Sequence, residues 1–282
     1  MDKRKVGVVI DSTFRLEESY VKENDITVVP LKVIIGDQEY IDGFFDSDLV
    51  VKALQEHVKV KTSQPSPDLF IEAYKHQLES FEEVICLTLS KSLSGTLNSA
   101  NLAQTILDDN HVTVIDSEST ISGGYYLTQR LIEFLNEGHS AREASVYLEQ
   151  LKDQGSLIFT VDNLQTLFDN GRLSRLQAAI GNMLRIKPIL RFRRGVLEVE
   201  QKVRGFSKAA KYLVDEVRGM VDLGKKAFVR IAYVDKSSEA KELEMELFQL
   251  GDQVDVKITG LISPVISAHV GLGGLGIYLA FE

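Results

Sequence analysis

Three short apolar runs in the first half of the chain each break into a burst of hydroxyls, and no other feature limits the fold as much. VGVVI (6–10) runs into Asp11-Ser12-Thr13, VICLTL (84–89) into Ser90-Lys91-Ser92-Leu93-Ser94-Gly95-Thr96, and VTVI (112–115) into Asp116-Ser117-Glu118-Ser119-Thr120. Runs this short and β-branched, bounded by polar turns, read as strands buried on both faces, as in a parallel sheet. Between them SPDLFIEAYKHQLESF and GTLNSANLAQTILDDN carry apolar residues at helical spacing. HSAREASVYLEQLKDQG adds a capping box, Ser140 with Glu143, and a glycine stop at Gly155. Strands alternating with helices are the grammar of an α/β layer. VVPLKVIIGDQEYIDG interrupts it as a hairpin or irregular excursion around Gly36 and Asp37.

After about residue 156 the pattern changes to shorter helices and paired strands. KPILRFRRGVLEVEQKV reads as two strands around Arg194 and Gly195, and AFVRIAYVD, QVDVKITGLI and LGIYLAF supply more. A chain of 282 residues, 44% of them hydrophobic, can fill two ordinary cores. The expectation is an α/β protein of two domains: 1–160 with a parallel sheet, and 161–282 with a mixed sheet. No Pro-, Ser- or Gly-rich linker separates them, so the boundary is soft, between Gly155 and Gly171.

Several functions are set aside by what the chain lacks. A net charge of −9 argues against nucleic acid as a main partner, which needs cations against phosphates. The charge is uneven: between Gly171 and Lys211 there are 11 Lys or Arg against Glu198 and Glu200. Such a segment reads as a docking surface, a place for a phosphate-bearing ligand, or a solvated face. The single cysteine, Cys86, sits inside VICLTL as a buried thiol, and no clustered His and Cys spacing suggests a metal. MDKRKVGVVIDST has too short an apolar run for a signal peptide or a span, which reads as cytoplasmic. No G-x-S-x-G elbow is present, and Gly219 to Lys226 misses a P-loop because Lys226 stands where Ser or Thr should be. Gly271, Gly273 and Gly276 do spell G-x-G-x-x-G, but only IYLAFE follows, and its alternation reads as a closing strand. A dinucleotide loop must open a helix, so that reading fails on context.

Ligands of open parallel sheets bind outside the carboxyl ends of the strands, so the three hydroxyl-rich ends are expected to face one crevice. A fourth cluster, Thr62-Ser63-Gln64-Pro65-Ser66, precedes a helix. Hydroxyls before a helix, with Gly95 allowing close approach, make a cradle for an anion or carboxylate. Each cluster alone has a plainer reading: Ser94 as an N-cap, Asp11-Ser12 as an ordinary turn. His269 stands in an uncharged run beside the glycine loop, where an imidazole needs a partner, either in the core or on a ligand. With no nucleophile and base pair evident, the residues describe a place to hold something more than a place to transform it.

Taken in order, the strand into DST, TSQPS, SKSLSGT, DS after VTVI, NGRLS, KPI and PVISAHVGLGGLG resemble the DegV family of bacterial fatty acid binding proteins over essentially the whole chain. The resemblance implies an N-terminal α/β/α layer with a parallel sheet and a C-terminal α/β domain with a mixed sheet, enclosing one long-chain fatty acid. It also implies a lipid-binding subunit of a fatty acid kinase, with no catalysis of its own and no cofactor. A separate kinase related to dihydroxyacetone kinases would phosphorylate the carboxyl group to an acyl phosphate, bringing nucleotide and metal, and contact with membranes would be transient. Carried over by position, the carboxylate contacts fall on Thr62, Ser63, Ser94 and His269, with Asp11, Ser12, Gly95, Thr96 and Arg172 in support. On this view the carboxylate is held by hydroxyls and one imidazole without a buried Arg or Lys, and the basic segment docks the kinase. Leu272 and Gly274 depart from the proline and alanine common among relatives. The competing expectation is a transferase or hydrolase acting on a phosphorylated or acylated small molecule through Ser94 or Asp11; a third is a lipid-sensing regulator.

Overall fold

The computed structural model describes residues 4–162, 164–172 and 186–282. The first half contains β1 (Val6–Asp11), α1 (Glu18–Glu23), β2 (Ile26–Val29), β3 (Lys32–Ile35), β4 (Gln38–Ile41), α2 (Asp48–Gln55) and β5 (Val60–Ser63). It continues through α3 (Pro67–Leu78), β6 (Glu83–Thr88), α4 (Thr96–Leu107), β7 (Val112–Asp116), α5 (Ile121–Asn136) and α6 (Ala141–Asp153). The second half has β8 (Gly155–Thr160), α7 (Gln165–Asp169), β9 (Ile186–Arg193), β10 (Val196–Arg204), α8 (Phe206–Asp222) and β11 (Ala227–Tyr233). It closes with α9 (Ser237–Phe248), β12 (Val254–Leu261), α10 (Pro264–Val270) and β13 (Leu275–Phe281).

The three apolar runs form a parallel sheet in the order β2-β1-β6-β7. Every residue of β1 is buried, as a strand covered on both faces must be. Helices α3 and α4 cover one face through Phe70, Tyr74, Ala100 and Ala103, with Cys86 buried in the same cluster. Helices α5 and α6 pack on the other. The mixed sheet has the order β10-β9-β8-β13-β11-β12, so the fold class expected from the strand grammar is observed. Its strand β8 is drawn from residues 155–160, at the very edge of the first half.

Local chemistry explains the turns. Arg194 and Gly195 both take positive φ between β9 and β10, the two-residue hairpin geometry that suits the right-handed twist of a strand pair. Gly36 does the same between β3 and β4, which pair with β5 in a small antiparallel sheet. The Ser140–Glu143 capping box is present at α6. Gly155 is not a helix stop: Gln154 is the C-cap, and Gly155 opens β8, where a Cβ would lie 2.1 Å from the Tyr278 hydroxyl oxygen. Gly219 lies within α8 and Gly224 follows its end with positive φ, so the P-loop near miss is a helix terminus. Strand β13 does not expose alternate residues: set between β8 and β11, it is buried through Ala280.

Candidate functional site

A cavity of about 360 Å³ opens between the parallel sheet, the mixed sheet and α10. Its floor is the mixed sheet, where strand register sets the side chains in two rows. Leu197, Phe192 and Leu157 stand opposite one another on β10, β9 and β8, and Phe159, Gly276 and Ala232 do so on β8, β13 and β11. Leu89, Leu93 and Ile121 come from the carboxyl ends of the parallel strands, and Val265, Ile266 and Val270 from α10. The wall is mostly aliphatic and aromatic, with a few polar groups, the usual composition of a small-molecule site.

Those polar groups are linked in sequence around one part of the wall. Thr62 Oγ1 lies 2.8 Å from His269 Nε2, and His269 feels the charge of Arg172. Arg172 donates from Nε to the carbonyl of Leu93 at 3.3 Å, next to Ser94 and Gly95. At Gly95 an added Cβ would lie 2.1 Å from Gln64 Oε1, and Gln64 leads back through Ser63 to Thr62. Thr62, Ser63, Gln64, Ser94, Gly95, Arg172 and His269 all line the cavity. Two more hydroxyls, Thr120 and Ser122, reach it from the start of α5.

Protonation follows from burial. His269 Nδ1 is buried without a hydrogen-bond partner, and desolvation followed by the nearby Arg172 charge pushes the imidazole pKa down to about 4. It is therefore neutral at pH 7. Desolvation also lowers the pKa of half-buried Arg172, which keeps its proton. Among the described residues the cavity thus presents one fixed positive charge beside a neutral imidazole and several hydroxyls. Arg172, which the resemblance placed among the supporting residues, lines the cavity half-buried beside His269, so the expectation of a cradle held by hydroxyls and one imidazole alone is amended to include its charge.

The remaining expected residues lie elsewhere. Asp11 is fully buried at the end of β1, accepting from the Thr13 amide at 2.9 Å, the Thr13 hydroxyl at 2.6 Å and the Leu89 amide at 2.5 Å. Ser12 donates to Asp42 Oδ2 at 2.7 Å and accepts from the Leu31 amide at 3.1 Å. Thr96 is buried behind Ser94, hydroxyl to hydroxyl at 2.9 Å. None of these three lines the cavity, so the strand ends do not all face it: the SKSLSGT turn and Thr120 do, while Asp11-Ser12-Thr13 turns inward. Ser94 is not the N-cap of α4 either. Gly95 holds that position, and Ser94 Oγ accepts from the Thr96 amide at 3.3 Å.

The glycine loop also has a local cause. Gly271 and Gly273 have φ of 78° and 73°, and a Cβ at Gly273 would sit 1.9 Å from Asp162 Oδ1. Its amide donates to Asp235 Oδ1 at 2.7 Å. Carboxylates crowd this loop, and β13 rather than a helix follows it, so it is no phosphate cradle. Among the described residues no group of three or more His, Cys, Asp or Glu is placed to hold a metal, and no helix is long and apolar enough to cross a membrane. Within the basic segment, Lys187 pairs with Asp162, Arg191 with Glu200 and Glu216, and Arg194 with Glu118, Glu149 and Asp153. Much of its charge is matched within the chain. Arg175, Arg185 and the last two residues of NGRLS lie outside the described residues.

Residues 5–282 match the profile of a family described as "Uncharacterised protein, DegV family". A DegV domain-containing protein of Staphylococcus aureus is 35% identical over 277 residues, 96% of each chain. Among solved structures, a fatty acid binding DegV family protein from Thermus thermophilus superposes with a TM-score of 0.90 at 29% identity, covering 99% of this chain and 100% of that one. The fatty acid kinase B3 protein of Streptococcus pneumoniae, loaded with linoleic acid, does so with a TM-score of 0.83 at 25% identity and the same coverage.

Proposed function

This chain belongs to the DegV family, and from that premise we propose that it binds one long-chain fatty acid in the cavity between its parallel and mixed sheets and presents the carboxylate to a separate kinase. The observation that carries the reading is the division of the cavity wall: a mostly apolar lining with Arg172, neutral His269, Thr62, Ser63 and Ser94 gathered around one part of it. An amphiphile with one anionic end matches that division. Each buried methylene contributes about 0.8 kcal/mol, so a long acyl chain supplies most of the affinity. Hydrogen bonds to the charged head, at about 1.5–3 kcal/mol each, fix which end meets them.

In this reading Thr62, Ser63, Ser94 and His269 contact the carboxylate and Arg172 compensates its charge. Asp11, Ser12 and Thr96 act behind them. The domains, divided from Gly155 onward so that β8 goes with the mixed sheet, close on the acyl chain from both sides. The chain itself performs no turnover; a partner kinase brings the nucleotide and forms the acyl phosphate. The S. pneumoniae relative, a fatty acid kinase B3 protein carrying linoleic acid, supports this division of labour.

The test is mass spectrometry of small molecules released by denaturing freshly purified protein. A near-stoichiometric long-chain fatty acid is expected from the wild type, with less from Ser94→Ala and His269→Ala. A protein that carries none, and takes up none when offered, would sink the proposal.

A further inference from the structure

The buried Asp11-Ser12-Thr13 turn is unexplained by ligand contact, and so is Asp42, which is 1% exposed with Oδ1 lacking a hydrogen-bond partner. Burial pushes the Asp42 carboxyl up to about 6, against the Ser12 hydroxyl, the Arg15 charge and the Ser263 hydroxyl, all of which favour ionisation. A buried carboxylate is costly to keep, so its partners define what it organises.

Two lines of connection leave this pair, and a third leaves Asp11 beside it. Ser12 accepts from the amide of Leu31 while the Asp42 amide donates to the Leu31 carbonyl at 2.9 Å, which fixes the entry to β3. Strand β3 then sets β5 by register, with Lys32 opposite Ser63 and Val33 opposite Thr62. Second, the Asp42 carboxylate faces Ser263, the N-cap of α10, whose Oγ accepts from the Ile266 amide at 3.3 Å. The last turn of α10 carries His269. Third, the neighbouring Asp11 carboxylate holds the Leu89 amide at the start of the loop that leads to Ser94.

We infer that Ser12 and Asp42 are positioning residues: a buried hydroxyl–carboxylate pair from which both partners of the Thr62–His269 hydrogen bond, on β5 and on α10, are hung in register. The pair does not touch the ligand. It determines that two side chains separated by 207 positions meet at 2.8 Å. The inference rests on the fatty acid reading for its consequence in binding, but its structural content is independent of any lipid.

The experiment follows the His269 imidazole by NMR in delipidated, ¹⁵N-histidine-labelled full-length protein, with His269→Gln identifying its signal among the five histidines. Wild type, Asp42→Asn and Ser12→Ala are compared, alongside displacement of a fluorescent long-chain fatty acid. In wild type the imidazole is expected to titrate well below the ordinary histidine range, because its ring is buried beside Arg172. In both variants that titration is expected to move upward as the end of α10 loosens and water reaches the ring. Fatty acid binding is expected to weaken about tenfold, as for one lost charged hydrogen bond. In a His269→Gln background Asp42→Asn should cost much less affinity, because the two act through one contact. A His269 titration identical to wild type in both variants overturns the inference, even if thermal stability falls. Should Asp42→Asn fail to fold, Ser12→Ala carries the same expectation. If wild type takes up no fatty acid, the proposed function fails while the lipid-free titration still decides the positioning role.

Discussion

Thr62→Val replaces a hydroxyl by a methyl of nearly the same size, so its effect isolates one hydrogen bond. In the wild type Thr62 Oγ1 and His269 Nε2 are 2.8 Å apart, and the other ring nitrogen, Nδ1, is already buried and unpartnered. Removing the hydroxyl leaves the buried imidazole with no protein partner at either nitrogen. The lost bond is worth about 1 kcal/mol, and leaving its partner unsatisfied adds about 1–3 kcal/mol. A loss of about 2–4 kcal/mol is therefore expected in the empty protein, or a fall in Tm of about 3–7 °C for a chain of this size. The assay is thermal unfolding of delipidated Thr62→Val and Thr62→Ser beside wild type. Thr62→Ser keeps the hydroxyl and should lose less than half as much. Fatty acid affinity should fall in the same order, since the residue contacts the carboxylate in the proposed complex. Equal stability of Thr62→Val and wild type in the empty state would refute the argument that this contact holds the site together before ligand arrives.

Acidification gives a second check. His269 has a lowered folded pKa, so the unfolded chain takes up its proton first as pH falls. Its contribution is neutral at pH 7 and becomes destabilising between about pH 6.5 and 4, by about 3 kcal/mol in all. Denaturant titrations at pH 7 and pH 4 should therefore favour His269→Gln over wild type by that much more at the lower pH. Asp11 acts with the opposite sign: burial raises it to about 6, so the penalty for its charge is present above that pH and relieved as pH falls towards 3.8. Arg172→Gln should weaken binding of a fatty acid about tenfold while leaving the corresponding neutral alcohol nearly unchanged, measured by competition at low and high salt. Equal losses for acid and alcohol would remove Arg172 from charge compensation. Gly273→Ala, with φ of 73° and Asp162 in the way, should cost more than about 2 kcal/mol, whereas Gly36→Ala, with φ of 61° and open space, should cost about 1 kcal/mol in chemical denaturation.

The sequence by itself determined the parts of this protein that depend on neighbours along the chain. Buried strands announce themselves by short β-branched runs, the β9–β10 and β3–β4 turns by glycines at positive φ, and α6 by its capping box, because each is governed by residues a few positions apart. The family resemblance added the list of polar residues with a place in a site. What it could not assign was the direction each one faces. Ser12 and Ser94 both follow buried strands in hydroxyl-rich turns, yet one turns inward to Asp42 and the other lines the cavity. Asp42 sits in an unremarkable polar loop and gave no signal. Arg172 belonged both to the basic segment and to the residues the resemblance placed in support, and only the fold set it beside His269. These outcomes belong to tertiary structure because a polar group's role is fixed by whichever partner or void the packed chain brings to it. Here the deciding partners stand 30 positions away for Ser12 and 207 for Thr62, beyond the reach of any local pattern.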